Sequence, residues 1–178
     1  TAGPTYKITV GQLATEINKL NNIQATLKVE SVGTGLSRAL YSTFLSYLPK
    51  TRFKYPLPMH SDKRGNFVEM IKTYDSGQVS YFTSKPGITR GGHYHHTKTE
   101  KFLVICGKAK FRFRNLLTDE THSFVCSGEI PEIVETVPGW AHDITNIGRG
   151  DLICMLWANE VFDVNNPDTY SVQNINKG

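Results

Sequence analysis

No stretch of the chain approaches the roughly 18 consecutive apolar residues that a membrane-spanning helix needs, and the N-terminus lacks the basic-then-apolar pattern of a signal peptide. The expectation is a cytoplasmic protein with no membrane partner. Cysteine is scarce. Cys106, Cys126 and Cys154 are odd in number, show no paired spacing and sit in apolar runs, as buried thiols in a reducing compartment do. Nor is there a block of like charge: the net +4, from 20 Lys and Arg against 16 Asp and Glu, is scattered along the chain. That excludes a nucleic-acid footprint and leaves a mild affinity for anions such as phosphates. Internal repeats and low-complexity tracts are absent too. At 178 residues the chain fits one ordinary domain, or one domain plus part of another.

What is present divides near residue 57. Residues 1–56 carry a helical period. Thr9 and Gln12 form a capping box ahead of Leu13, Ile17 and Leu20, and Leu36, Leu40, Tyr41, Phe44, Leu45 and Leu48 trace one apolar face before Pro49. Two helices make no domain by themselves, so their apolar faces must pack on something else. KTRFKYPLP, residues 50–58, reads as a linker. Residues 57–178 then hold nine β-rich runs about ten residues apart: NFVEMIKTY, QVSYFTS, ITRGGHYH, KFLVICG, KAKFRFRNL, HSFVCS, EIVETV, HDITNIG and DLICMLWAN. Turn residues such as Lys85-Pro86-Gly87 and Pro138-Gly139 separate them. The spacing predicts a mainly β domain, an antiparallel sandwich or barrel for which a jelly roll is a good candidate, preceded by a short helical segment.

Three histidines fall within RGGHYHHTKTEKFLVICG, residues 90–107. On a strand His93 and His95 share a face, Glu100 opens the next strand, and His142 follows the turn Pro138-Gly139-Trp140-Ala141. Three imidazoles and one carboxylate suit zinc, iron, manganese or nickel. His96, of opposite parity, is expected exposed or outlying, and His60 and His122 read as ordinary histidines.

H-x-H-x4-E-x6-G at 93–107, followed by P-G-x-x-H-x3-N at 138–146, resembles the two signature stretches of the cupin superfamily. The resemblance implies a cupin jelly-roll barrel in which His93, His95, Glu100 and His142 hold one divalent metal, with zinc the expected ion. The second stretch departs from the family, whose proline and glycine are commonly separated by one residue. D-K-R-G-N-F-V-E at 62–69 and G-x-x-R-G-x-H-Y at 87–94 resemble the nucleotide-sugar 3,5-epimerases, also of cupin fold. Those epimerases usually bind no metal, and in them the histidine that falls on His93 is the catalytic base. A metal-bound imidazole cannot also accept a proton, so the two resemblances assign His93 differently.

ITVGQLATEINKL and ALYSTFLSYLP resemble the closing helices of an extended short-chain reductase, whose G-x-x-G-x-x-G turn and Tyr-x3-Lys pair do not occur in this chain. The combination is similar to the C-terminal part of the bifunctional capsular-polysaccharide epimerase/reductases of the UDP-N-acetyl-L-fucosamine pathway. It implies that this cupin epimerises C3 of a UDP-linked 4-keto-6-deoxy-2-acetamido sugar, and that a separate reductase domain reduces C4 with NADPH. It also implies a homodimer formed through the cupin domain.

Epimerisation requires a base on one face of the sugar and an acid on the other. Besides His93 the candidates are Lys72, Tyr81, Tyr94 and Lys101. Arg64, Glu69, Arg90, Arg112 and Trp140 are the candidates for binding the substrate, the arginines through its diphosphate and the tryptophan by stacking. Lys110, Arg112 and Arg114 alternate with Phe111 and Phe113; if the phenylalanines face the core, the cations face out. Two other readings remain: an iron-dependent cupin dioxygenase, and a non-catalytic dimerisation or binding module.

Overall fold

The computed structural model describes residues 3–172 and residue 175. In chain order its elements are α1 (Val10–Thr26), β1 (Lys28–Val29), α2 (Gly35–Ser46), a 3-10 turn (Lys50–Arg52), β2 (Met59–Asp62), β3 (Gly65–Thr73) and β4 (Gly77–Ser84). There follow β5 (Thr89–Tyr94), β6 (Glu100–Cys106), β7 (Lys108–Asn115), β8 (Thr121–Ser127), β9 (Ile133–Glu135), β10 (Trp140–Asn146), β11 (Leu152–Ala158) and β12 (Tyr170–Ser171). The expected capping box closes α1: the Thr9 hydroxyl accepts from the Gln12 N–H at 3.2 Å, and Gln12 Oε1 accepts from the Thr9 N–H at 3.0 Å. Leu20 and Ile23 of α1 are buried and border a small hollow with Tyr41, Phe44, Leu45 and Leu48. α2 buries no residue completely, and it stops at Ser46. Pro49 disfavours the helical conformation at the residue before it, so Leu48, the last apolar position of that face, lies beyond the helix.

The expected linker, residues 50–58, is tied to α1 near its start. Arg52 donates to Gln24 Oε1 at 3.0 Å and to Asn21 Oδ1 at 2.8 Å, tying its 3-10 turn to α1. β1 pairs parallel with the edge of β3, so the N-terminal segment also contributes a strand.

The nine expected runs are β3 to β11. β1, β2 and β12 are additional. The strands form two sheets, one ordered β1-β3-β4-β11-β6-β9 with β2 against β3, the other β12-β5-β10-β7-β8. Every pairing between named strands except β1 with β3 is antiparallel. This is the cupin jelly roll. Strict alternation builds its core: Leu152, Cys154, Leu156 and Ala158 of β11 are buried, as are Phe82, Phe102, Val104, Phe111 and Phe113 from both sheets. With Phe111 and Phe113 inside, Arg112 points outward, where it makes a two-pronged pair with Asp143 at 2.8 and 2.7 Å. Cys126 and Cys154 are buried as expected. Cys106 is exposed instead, because it ends β6 beyond a register shift opposite Ile153 and Cys154. Among the described residues no helix is long and apolar enough to cross a membrane.

Candidate metal centre and cavity

Between the sheets, at the end of the barrel where β5 and β10 meet β6, lies a cavity of about 310 Å3. Its walls are apolar, from Phe67, Phe82, Phe102, Ile144, Leu156 and Phe162, and its polar lining is Arg64, Glu69, Gln78, Arg90, His93, Glu100 and His142. Few polar groups on an apolar wall are typical of a small-molecule site.

The chain reaches this arrangement through close strand approach. His142 and His93 are direct partners across β10 and β5. Gly91, at φ +88, sits where a Cβ would lie 2.9 Å from the His142 carbonyl oxygen, so only glycine lets β5 pass β10 this closely. β5 ends at Tyr94, and His95 stands just past it, yet its ring still turns inward: the His93 and His95 ring centres are 5.0 Å apart, those of His93 and His142 4.8 Å. In the adjacent Pro138-Gly139 turn, Gly139, at φ +79, donates its N–H to the His95 carbonyl at 3.1 Å. Glu100 opens β6 and enters from the other sheet.

His93, His95, Glu100 and His142 each offer one ligand atom, and these atoms all lie within 4.8 Å of one another. Their hydrogen bonding is incomplete without a cation. His95 is 2% exposed, and its Nδ1 lies 2.6 Å from the carbonyl oxygen of Asp168, which can only accept. Nδ1 therefore carries the proton, and in the neutral ring Nε2 turns a lone pair toward Glu100 Oε2 at 3.2 Å. Two acceptors at that distance repel unless positive charge lies between them. Both ring nitrogens of His142 are buried without a hydrogen bond, with Nε2 3.5 Å from the same Glu100 oxygen. A buried polar atom left unpaired is costly, and a cation in this position would satisfy His142 Nε2 while separating the facing His95 and Glu100 acceptors. The donor set could hold a metal ion and fits zinc or a neighbouring first-row metal.

Burial, and then the neighbouring His142, push His93 down to about 4, so its imidazole is neutral near pH 7, the form that binds metal. A pH dependence follows for the metal-free chain. The unfolded state binds a proton at His93 from about pH 6.5 downward, whereas the folded state waits until about 4, so stability falls as pH drops through that window. Calorimetric melting temperatures of the chelated protein should decline from pH 7 to pH 4.5, and His93→Gln should flatten part of that slope. A melting temperature that rises on acidification would contradict the assignment.

Of the substrate-binding candidates, Arg64, Glu69 and Arg90 line the cavity. Arg64 pairs with Asp62, Nε to Oδ2 at 2.9 Å, and holds the Asp62 carboxyl down at about 2. Arg90 lies over the Phe82 ring at 5.2 Å and donates to the Thr83 carbonyl at 3.1 Å. Arg112 and Trp140 lie outside the cavity, the first on the outer face of its strand and the second packed against the core.

Of the catalytic candidates only His93 is in the cavity. Lys101 points outward and pairs with Glu135, as its parity opposite Glu100 requires. Tyr94 stacks on Tyr170 and meets His96 edge to face, and Tyr81 lies on the outer parity of β4. Lys72 borders a different hollow and touches the cavity only through Glu69, at 2.7 Å. His60, His96 and His122 are exposed.

Sequence reasoning missed Gln78, Phe162 and Asp168. Gln78 shares its parity with Ser80, Phe82 and Ser84, a face that alternation could have assigned to the interior. Asp168 carries no local signal.

Comparison with known proteins identifies the family. Residues 60–170 match the family described as "Polysaccharide biosynthesis C-terminal domain". A Pseudomonas aeruginosa UDP-2-acetamido-2,6-beta-L-arabino-hexul-4-ose reductase is 61% identical over 168 residues, 94% of this chain and 45% of that protein. The crystal structure of the capsular polysaccharide assembling protein CapF from Staphylococcus aureus superposes with a TM-score of 0.91 at 45% identity, covering 95% of this chain and 49% of that one. A Bacillus subtilis oxalate decarboxylase, at 16% identity and a TM-score of 0.53 over 69% of this chain and 34% of that one, shares the fold alone. The chain spans about half the length of the reductase and of CapF. By the match over residues 60–170 and the close likeness to these two proteins, the chain belongs to the polysaccharide biosynthesis C-terminal domain family.

Proposed function

We propose that this cupin is a metal-dependent C3-epimerase of a UDP-linked 4-keto-6-deoxy-2-acetamido sugar, with zinc held by His93, His95, Glu100 and His142. The observation that carries the reading is the cluster of Glu100, His95 and His142, the last with both ring nitrogens buried and unpaired, beside a cavity that also holds two arginines. The P. aeruginosa relative's name describes a UDP-linked 2-acetamido 4-ulose, and its extra length leaves room for an NADPH-dependent reductase domain that would act at C4.

In this reading Arg64 and Arg90 hold the diphosphate, and the apolar walls of the cavity pack against the sugar ring. A divalent ion held by the cluster supplies Lewis-acid stabilisation of the charge that develops on the C4 oxygen. His93, spent as a ligand, is not free to act as the base. Glu69 is the cavity carboxylate outside the cluster, placed inward on β3 opposite Ser80. It removes the C3 proton from one face, and a proton from solvent returns on the other. Proton NMR in D2O tests this: the chain should incorporate deuterium at C3 of the 4-keto sugar, and a chain that binds zinc yet incorporates none would overturn the epimerase reading in favour of a binding module.

The homodimer is proposed to form through the outer face of the larger sheet. Tyr81, Met155 and Leu103 are consecutive across β4, β11 and β6 and stay half-exposed, with Ile133 exposed beside them on β9. Light scattering should give twice the 20.0 kDa chain mass, and Met155→Glu should give monomers. A monomeric parent chain would refute this surface.

A further inference from the structure

Asp168 is far from the cluster in sequence and offers it no ligand atom, yet it holds the cluster's most buried member in two ways. Its main-chain carbonyl accepts from His95 Nδ1 at 2.6 Å. Its carboxylate accepts from the backbone N–H groups of His96, Thr97 and Lys98 at 2.9, 2.8 and 2.7 Å, and from the Thr97 hydroxyl at 3.0 Å. These are three successive donors of the loop that carries His95 out of β5. Asp168 adopts φ +34, a left-handed conformation that Asp tolerates better than most residues, and this turns carbonyl and carboxylate toward the same loop. Lys98, 7% exposed, fastens the loop to the neighbouring residue, its Nζ donating to Thr169 Oγ1 at 3.0 Å.

We propose that Asp168 is the positioning residue of the metal centre: its carboxylate fixes the 95–98 loop, which seats His95 against the Asp168 carbonyl and locks the proton on Nδ1. Nε2 is thereby held with its lone pair toward the position of a divalent transition-metal cation. The energetic logic is preorganisation. A histidine free to rotate or to change tautomer must be ordered when the ion binds, whereas this one is ordered beforehand. The inference rests on the metal reading above and extends it to a residue that neither ligates nor touches the substrate cavity.

The test uses the full chain, zinc as the probe and competition with a chromophoric chelator. Asp168→Ala should bind zinc about 10–100-fold more weakly than the parent, and Asp168→Asn, which keeps one acceptor oxygen, should fall between them. Long-range nitrogen-proton NMR of the metal-free parent should show His95 protonated at Nδ1, and Asp168→Ala should show a mixture of tautomers. A purely structural role would lower the melting temperature and leave both zinc affinity and tautomer unchanged in the folded fraction. Parent-like zinc affinity in a folded Asp168→Ala overturns the inference and leaves the metal reading standing. A parent chain that binds no zinc overturns both. Should Asp168→Ala fail to fold, Asp168→Asn and the parent tautomer decide, and an Nε2-protonated His95 in the parent overturns the inference.

Discussion

Glu69→Gln is expected to lower deuterium incorporation at C3 of a UDP-linked 4-keto sugar by about 10²–10⁴-fold, the usual cost of losing a general base. In activation free energy this is about 3–5 kcal/mol. The substitution is nearly isosteric, and the carboxylate it removes is an inward-facing group on β3 in the cavity lining. Its partner Lys72 would lose an ion pair in which both side chains are 19% exposed, a small loss by comparison. Lys72→Met provides the control, because that lysine borders a different hollow; exchange should fall far less than in Glu69→Gln. Full exchange by a folded Glu69→Gln chain would move the base elsewhere in the cavity.

His142→Ala is expected to abolish stoichiometric zinc binding, weakening affinity by well over the roughly 100-fold upper range for loss of an outlying partner. The buried ring has no hydrogen bond to lose at either nitrogen, so its removal should spare the apo fold much of the cost that a satisfied buried group would incur. The contrast appears in thermal shifts. Zinc at a hundredfold excess over its Kd stabilises the folded state by about 2.7 kcal/mol, worth roughly 5–10 °C for a domain of this size. The parent chain should show that shift and His142→Ala should show none. An equal shift in both would mean that zinc binds elsewhere.

Much of the barrel was legible because alternation is a local signal. Phe111 and Phe113 enter the core on one parity of β7, and the opposite parity puts Arg112 outside the cavity. The expected quartet was brought together because three of its members fall within eight residues and the fourth follows a glycine turn, so strand pairing alone carries His142 to His93. The catalytic candidates were less legible. Nothing local distinguishes Lys72, on the far side of a register shift in β3, from a lysine that reaches the cavity. Asp168 was invisible for a related reason: its partners lie about 70 residues away, and hydrogen bonds to backbone N–H groups leave no trace in the identity of those residues. β1 and β12, two residues each, are too short for any period to show.

The central claim, that the metal takes part in the C3 chemistry, is tested most directly by stripping the purified chain with a chelator and titrating zinc back while deuterium uptake at C3 is followed by NMR. Uptake should vanish on chelation, rise in proportion to added zinc and level off at one ion per chain. Uptake that survives complete removal of metal would contradict the account and return His93 to the role of base.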